Sequence, residues 1–453
     1  MRRFLYWHQE DRIAQLILAQ GETNRKTPNL NFAHSAESEI YSSVAKRKKI
    51  KVILIGDSHP EMIALSKELQ TKKVDFRVFL SFYLTKQEFQ KISKTSLLSK
   101  KMEAYLSKRI LSMEIESKNI IRDFAIFELL IISLDLVGFV SLKNLLTKIA
   151  QKIRQFFLSV YLLVVKPQVV IIYDNINPRV PKSSKLIVIA LMAHPLEVQS
   201  ALAKAENDYP GWPKTSGNLN SSHSQIYARA NQIIVLSNYA RLSFIENGIL
   251  PQKLKTINIG PKNQNSLEFQ SFVNGRKNRT NVLFVGQINL RKGVPAIIDA
   301  ASELHLTHEF KIVGHSLNSV LSDYLAKSNL PKNINFIVNP TRQQLDFEFG
   351  EAEVFVFPSY SEGFSLACIE AMSYGLIPVL SKNSGVFEAL SETGLEDFSI
   401  NPGSVENIVE KLSLIRELSD ETFYKFRNLS ASISRNYSLD RFAQELLSAV
   451  DLS

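Results

Sequence analysis

Glu362 and Glu370 are the residues best suited to bind a ligand rich in hydroxyl groups. They lie in a segment that passes from the apolar run Val354–Phe357 through a loop into a predicted helix. We expect Glu362 in the loop and Glu370 about two turns into the helix, where the two carboxylates reach different parts of one ligand. A carboxylate accepts two hydroxyl hydrogen bonds, which suits a sugar ring at Glu362 and the vicinal diol of a ribose at Glu370.

The predicted start of that helix is a candidate anion site. The backbone N–H groups of Phe364, Ser365 and Leu366, which follow Gly363, have no partner within the helix and add to the positive end of its dipole. Such a helix start favours a phosphate group. The alternative is that both glutamates are merely solvated residues near a helix end.

A second candidate is a strand that ends in Gly286-Gln287 and continues into the basic loop Arg291-Lys292-Gly293. Two cationic side chains next to a strand end can bind an anion. The alternative is that Arg291 and Lys292 are merely two exposed basic residues at a turn.

The first half of the chain offers weaker candidates. A predicted strand over residues 186–191 leads to His194, whose ring can donate or accept a hydrogen bond. Another strand ends in Gly56, with Asp57 and His59 directly after it. A capped strand-to-helix turn explains these last residues equally well, and His194 could equally be a structural histidine.

Apolar runs alternate with helical patterns in two successive series, which predicts an α/β protein with two Rossmann-like, doubly wound parallel-sheet domains. Such domains place a ligand cleft between them, at the carboxyl ends of the strands. We predict a variable lead over residues 1–45, a first domain over 46–260, a linker over 261–280, a second domain over 281–435 and a last segment over 436–453. The predicted strands are residues 50–56, 76–80, 169–173, 186–191 and 233–236, then 282–285, 310–313, 334–338, 354–357 and 377–380. The predicted helices include residues 61–70, several within 86–165, 294–304 and 319–326.

Composition narrows the class of protein. Of the 453 residues, 45% are hydrophobic and 22% charged, which is typical of a folded globular chain. The single cysteine, Cys368, excludes an intramolecular disulfide and indicates a reducing, cytoplasmic setting. The apolar run over residues 124–142 contains Glu128 and Asp135, so we expect no membrane-spanning helix there, and residues 1–20 lack a signal-peptide pattern.

The formal net charge of +10 attracts phosphates and anionic lipids. The basic residues over 46–51 and over 86–118 could bind an anionic membrane surface, although a solvated basic face explains them equally well. No nucleic-acid recognition motif accompanies the charge, so we expect no nucleic-acid partner.

The spacing of Glu362 and Glu370 resembles the Glu-x7-Glu motif of glycosyltransferase family 4, the retaining enzymes of the GT-B fold. The resemblance extends from about residue 233 to the C-terminus, and its further matching segments are Gly363-Phe364, Ala371-Met372, Gly375, Pro378-Val379, Asn383-Ser384-Gly385 and residues 436–442. It implies that Glu362 contacts the donor sugar, that Glu370 contacts the nucleotide ribose, and that the last segment crosses back to the first domain.

The same resemblance implies a diphosphate-binding loop at Gly286, Gln287, Arg291 and Lys292. The family has an arginine where this chain has Gln287, and Arg291 could supply that charge from the other side. On the acceptor side, the resemblance suggests His194 and the loop after Gly56.

The implied activity is transfer of a sugar from a nucleotide diphosphate, most simply a UDP- or GDP-sugar, to a glycan, a lipid-linked sugar or a small molecule. No cofactor and no metal ion are expected to be required. Two alternatives stay open. One is a nucleotide-sugar epimerase or phosphorylase of similar architecture. The other is a non-catalytic, scaffolding relative, which would suit Gln287 and the loop after Gly56, where many members of the family have a glycine-rich loop.

Overall fold

The computed structural model describes residues 51–56, 60–80, 90, 115–122, 140–213, 223–261, 280–315, 325 and 328–451. All of them lie in one compact unit, Ile50–Ser453. The predicted lead over residues 1–45, almost all of the linker, and the predicted helix over 319–326, except for one residue, lie outside the described residues. So do Asp57 and His59.

The first sheet consists of parallel strands in the order β3-β2-β1-β4-β5-β6-β7. Its strands are β1 (Val52–Ile55), β2 (Phe76–Leu80), β3 (Ile120–Arg122), β4 (Val169–Tyr173), β5 (Lys185–Ala190), β6 (Gln232–Val235) and β7 (Leu254–Thr256). The helices of this part are α1 (Pro60–Thr71), α2 (Val140–Val165), α3 (Pro195–Asp208), α4 (His223–Arg229) and α5 (Asn238–Glu246). The central strands β1 and β4 are buried along their whole length, because a parallel sheet carries helices on both faces.

The second sheet is also parallel, in the order β10-β9-β8-β11-β12. Its strands are β8 (Thr280–Gln287), β9 (His308–His315), β10 (Ile334–Val338), β11 (Val354–Phe357) and β12 (Ile377–Leu380). The helices that follow β8 are α6 (Val294–Glu303), α7 (Arg342–Glu351), α8 (Leu366–Ser373), α9 (Val405–Glu417), α10 (Asp420–Ser434) and α11 (Leu439–Ala449).

In each sheet, the strand order changes direction beside the strand that comes first in the chain. The reversal lies between β1 and β4 in the first sheet and between β8 and β11 in the second. Loops that leave the carboxyl ends of such a pair diverge and open a crevice for a ligand. The second sheet therefore brings the loops after β8 and β11, which carry the predicted site residues, side by side.

The predicted fold, two doubly wound parallel-sheet domains, is confirmed. Strands β2, β4, β10, β11 and β12 have the predicted bounds. The short strands β3 and β7 were missed, because three residues at a sheet edge carry too little periodicity to be distinguished from a loop. Among the described residues, no helix is long and apolar enough to cross a membrane.

The last helix, α11, packs against α1 of the first half of the chain. Phe442 of α11 and Met62 and Leu65 of α1 belong to one buried cluster. The C-terminal segment also passes close to Gly260, where a Cβ atom would lie 2.2 Å from the carbonyl carbon of Tyr437. The C-terminal segment thus returns to the first sheet and ties the two sheets together.

Replacing Phe442 with alanine tests this tie. Phe442 is fully buried, so the substitution should lower the free energy of unfolding by about 3 to 5 kcal/mol. Chemical denaturation followed by circular dichroism measures the change. Leu306, which is 72% exposed, is the matched control, and Leu306→Ala should change the free energy by less than about 0.5 kcal/mol. A Phe442→Ala cost similar to that of the control would contradict the packing.

Candidate active site

The loop after β8 holds two cationic side chains. Asn289 caps a short 3-10 helix, Leu290–Lys292, by accepting a hydrogen bond of 3.1 Å from the backbone N–H of Lys292. Gly293 ends this turn with φ +73°, a conformation that favours glycine. The sequence Asn289 to Gly293 thereby turns Arg291 and Lys292 toward the loop after β11.

Glu362 lies in that second loop, between β11 and α8. Its backbone N–H donates to the carbonyl of Asn383 at 3.0 Å, which fixes the loop against the segment after β12. The neighbouring Gly363 lies against the first sheet, since a Cβ there would lie 2.2 Å from the carbonyl oxygen of Leu191, directly after β5. The glycine after the glutamate is thus required by the close approach of the two halves.

The two loops meet in a buried ion pair. The Lys292 ammonium group contacts the Glu362 carboxylate, and Arg291 donates to the same carboxylate oxygen at 3.4 Å. Lys292 is 9% exposed and Glu362 6%. The Lys292 Nζ atom also lies 5.0 Å from the centre of the Phe357 ring, and the Arg291 guanidinium donates to the carbonyl of Ser361 at 2.6 Å.

These contacts decide the protonation state of Glu362. Burial disfavours its charged form, but the charges of Lys292 and Arg291 outweigh burial and lower the pKa of the Glu362 carboxyl. Burial lowers the pKa of Lys292. Glu362 is therefore an ionised hydrogen-bond acceptor at neutral pH, whereas a general acid needs a raised pKa.

The start of α8 adds an electropositive element beside the pair. Ser365 is the N-cap residue, yet its side chain makes no capping hydrogen bond. Helix α8 begins at Leu366, so Glu370 is its fifth residue and lies just over one turn inside, not two turns as the sequence suggested. The predicted helix after Glu362 is present, and it starts at Leu366.

Glu370 forms its own ion pair, with Arg342 at the start of α7. Arg342 also donates to Asp346 at 2.5 Å, and Tyr374 donates to the same Asp346 oxygen at 2.7 Å. Burial opposes the charge of Arg342, but these carboxylates outweigh it and raise the pKa of the guanidinium. The two glutamates thus lie in separate charge clusters on either side of the α8 start.

Gln287, where the family has an arginine, is exposed at the end of β8. Its side-chain oxygen accepts a hydrogen bond of 3.2 Å from Asn289, so it is held over the capped turn. Gly286 pairs with Gly314 of β9, and a Cβ on Gly314 would lie 1.7 Å from the Gly286 carbonyl oxygen. The positive charge at this loop comes from Arg291 and Lys292.

His194, in the first half of the chain, makes mainly structural contacts. Its Nδ1 accepts from the backbone N–H of Leu196 at 3.4 Å as the N-cap of α3, and its own backbone N–H donates to Ser243 at 2.9 Å. Its ring packs edge-on against Phe244 with centroids 5.1 Å apart. Burial lowers the pKa of His194. Among the described residues, these polar contacts stay within the first half of the chain.

Gly56 also has a packing role. A Cβ there would lie 2.7 Å from the Met62 side chain and 2.8 Å from the Tyr173 ring, so the missing side chain makes room for both. Tyr173 in turn donates to Glu61 at 3.2 Å. Gly56 thus has a packing role, and its predicted place on the acceptor side stays a prediction.

Side chains from the first half reach the Glu362 loop. Tyr239 donates to Ser361 at 3.1 Å, and Tyr360 donates to Asp208 at 2.7 Å. Glu388, in the segment after β12, accepts from the backbone N–H groups of Asn238 and Tyr239 at 2.9 and 2.6 Å. A carboxylate from one half thus caps helix α5 of the other.

Sequence reasoning missed Arg342 and these tyrosines. Arg342 had a usable signal: Thr341 and Gln344 form a capping box, a pattern that predicts a helix start directly after β10. A residue there lies at the same sheet edge as the glutamates. Tyr239 and Tyr360 had no such signal, because their partners are more than a hundred positions away in sequence.

Residues 267–429 match the family described as glycosyl transferases group 1. This part of the chain is similar to the group 1 glycosyl transferases. The matched segment contains the loops after β8 and β11 and both glutamates. The expected resemblance of the second half of the chain to glycosyl transferases is therefore confirmed.

Curated relatives match this chain over part of their length. An uncharacterized glycosyltransferase of Methanocaldococcus jannaschii is 24% identical over 47% of this chain and 54% of its own. The GDP-mannose:cellobiosyl-diphosphopolyprenol alpha-mannosyltransferase of Xanthomonas oryzae is 27% identical over 42% of this chain and 50% of its own. The chain thus spans about half the length of these relatives.

Solved structures share the architecture. A glycosyltransferase from Rickettsia africae superposes with a TM-score of 0.54 at 14% identity, over 89% of this chain and 98% of its own. An Anabaena protein in complex with UDP and glucose superposes with a TM-score of 0.52 at 14% identity, over 89% and 99%. The chain therefore has the GT-B fold.

The buried pair can be tested by a double-mutant cycle. Glu362→Gln leaves Lys292 buried without its carboxylate, and Lys292→Met leaves Glu362 with Arg291 alone, so each should lower the free energy of unfolding by about 3 kcal/mol. The double variant removes both charges and should cost clearly less than the sum. Urea denaturation at neutral pH measures all three, and strictly additive costs would contradict a coupled pair.

Proposed function

We propose that this protein is a retaining glycosyltransferase that moves a sugar from a nucleotide diphosphate sugar to an acceptor, with the donor bound in the second half of the chain. The observation that carries the proposal is the buried Glu362 carboxylate between Lys292 and Arg291, beside an uncapped helix start. A site that holds one anion among two cations and helix-start N–H groups is suited to exchange it for another anion.

The donor diphosphate is proposed to lie between Lys292, Arg291 and the start of α8. Gly286 and Gln287 line the end of β8 beside it, and Gly363, Phe364, Ser365 and Leu366 provide backbone at the helix start. On donor binding, Lys292 and Arg291 exchange the Glu362 carboxylate for phosphate oxygens. Glu362 then becomes free to accept hydrogen bonds from hydroxyl groups of the donor sugar.

The nucleotide ribose is proposed to lie at Glu370. Its vicinal hydroxyls would donate to the Glu370 carboxylate, which Arg342 now occupies. Arg342 is half exposed, so it can turn away at little cost. It would then lie beside the nucleoside, where its planar guanidinium can stack or donate.

In the transfer step, negative charge develops on the diphosphate as the bond to the sugar breaks. Lys292, Arg291 and the α8 N–H groups are positioned in advance to stabilise that charge, so we propose that no metal ion or cofactor is required. Glu362 stays ionised, which argues against a glycosidase-like acid. Retention of configuration follows from the family resemblance, with attack on the face that the diphosphate leaves.

The acceptor is proposed to approach from the first half of the chain, along the ends of β1 and β5. His194, Gly56, Asp57 and His59 are the acceptor-side candidates; of these, His194 and Gly56 are described, and both have packing contacts. A glycan, a lipid-linked sugar or a small molecule remains the proposed acceptor class. The diphosphopolyprenol in the name of the Xanthomonas oryzae relative favours a lipid-linked one.

We further propose a cytoplasmic setting with peripheral contact to an anionic membrane surface. A lipid-linked acceptor and the net charge of +10 support it. The basic segments suggested by the sequence, 46–51 and 86–118, lie mostly outside the described residues.

Ligand truncation separates the proposed roles of the two glutamates. A thermal-shift series of UDP-, GDP- and ADP-sugars first selects the donor, since a ligand at a hundred times its dissociation constant adds about 2.7 kcal/mol of stability. Calorimetry then compares that donor with its nucleoside diphosphate. Glu370→Gln should weaken binding of both the donor and the nucleoside diphosphate by about tenfold or more, because a hydrogen bond to a charged group is lost.

Glu362→Gln should weaken binding of the nucleotide sugar by about tenfold. Binding of the nucleoside diphosphate should stay equal or become tighter, because Lys292 is released from its ion pair. Glu388→Gln, which lies outside the proposed donor site, is the matched control. Equal losses for both ligands in both variants would contradict the assignment. Intact donor binding with no transfer to any acceptor would favour the scaffolding alternative. Formation of a sugar phosphate from added inorganic phosphate would favour a phosphorylase.

A further inference from the structure

Helix α2 exposes an apolar face to the outside of the first sheet. Seven of the fourteen strongly exposed large apolar side chains among the described residues lie on it, including Phe156 at 65% and Val164 at 69%. Positions 145, 149, 156, 160 and 163 recur at intervals of three, four and seven, so they share one side of the helix. A soluble helix normally exposes polar residues on that side.

The opposite side of α2 is already used. Leu158 and Leu162 are buried in the cluster that covers one face of the first sheet. The backbone N–H of Arg179 donates to the Ser159 hydroxyl at 2.9 Å, which anchors the helix to a neighbouring loop. The helix therefore lies flat on the sheet, and its outer face needs a different apolar environment.

The charged residues of α2 indicate what kind of partner covers its apolar face. Helix α2 contains four basic residues and no acidic residue, the basic ones being Lys143, Lys148, Lys152 and Arg154. Lys148 and Lys152 are exposed and lie along one border of the apolar face. A groove of about 420 Å³ beside the helix is lined by Phe156 and Leu163 together with Lys152 and Arg179. The occupant must be apolar and negatively charged at its border.

A second copy of the chain does not meet that requirement. A two-fold interface through α2 would place the same basic side chains of both copies against each other, with no carboxylate on the helix to pair with them. An anionic bilayer offers both parts, with acyl chains for the aromatic and aliphatic side chains and phosphates for the lysines.

We propose that the outer face of α2 is the surface by which this protein docks on an anionic lipid bilayer, with Phe156, Val160, Leu163 and Val164 inserted and Lys148, Lys152 and Arg179 at the headgroups. The helix runs antiparallel to β4, so it starts at the sheet edge from which the acceptor-side loops emerge. Docking there holds that edge near the membrane. The inference rests on the proposed membrane contact and not on the donor chemistry.

Vesicle sedimentation tests the surface on the full chain. Vesicles of phosphatidylcholine and phosphatidylglycerol in equal amounts should sediment the protein, and pure phosphatidylcholine should do so far less. Phe156→Gln with Leu163→Gln should lower the partition coefficient by more than about tenfold, because two inserted side chains are lost. Lys148→Glu with Lys152→Glu should lower it by at least about fivefold per lysine on anionic vesicles only.

Leu306→Gln with Leu414→Gln is the matched control, since both leucines are exposed on the second half of the chain, and it should bind vesicles as the original chain does. Failure of the original chain to sediment, or equal sedimentation of the α2 variants, would overturn the proposal. A drop in molar mass or a loss of several degrees in Tm in the apolar variant would also overturn it, by showing that a second copy or this chain itself covers the face. Donor calorimetry on the same samples separates a failure of this surface from a failure of the proposed function.

Discussion

The geometry of the site depends on a buried carboxylate that two cations neutralise. Moving a charge out of water costs several kcal/mol, so Glu362 can be buried only where compensating charge is fixed in place. Here that charge comes from a different strand, because β8 and β11 are neighbours at the point where the sheet order reverses. The Asn289 cap, the Gly293 turn and the Phe357 ring hold Lys292 there. Arg291 is held in addition by the Ser361 carbonyl.

The same arrangement explains why the two halves of the chain must meet closely at this place. Gly363 leaves no room for a side chain against Leu191, and Tyr239, Tyr360 and Glu388 make hydrogen bonds across the cleft. Water is thereby kept from one side of the Glu362 loop. The start of α8 stays uncapped by side chains, which is costly for an isolated helix and useful for a site that receives a phosphate.

Much of this could be predicted from the sequence because the relevant signals are local. Buried parallel strands such as Val354–Phe357 appear as continuous apolar runs, and glycines and basic residues directly after them mark the carboxyl edge of the sheet. The pairing of Lys292 with Glu362 and of Arg342 with Glu370 could not be predicted, since each depends on which strands become neighbours. The short edge strands β3 and β7 and the start of α8 could not be predicted either, because tertiary contacts fix them.

His194 shows that one residue can have packing contacts beside a predicted binding role. Its position after β5 predicts a ligand-facing ring, and the structure shows that its Nδ1 caps α3 and that its ring packs against Phe244. The binding role stays a prediction. The outer face of α2 shows what the sequence leaves open. Its apolar residues are of the same types as those on the buried side, and only their exposure in the fold distinguishes them from Leu158 and Leu162.

A crystal structure of the protein with its selected nucleoside diphosphate tests the central claim most directly. The account predicts that the diphosphate lies between Lys292, Arg291 and the start of α8, that the Lys292 ammonium has moved from Glu362 to a phosphate oxygen, and that Glu370 holds the ribose hydroxyls. A nucleotide bound elsewhere, or one bound while Lys292 keeps its contact with Glu362, would contradict it.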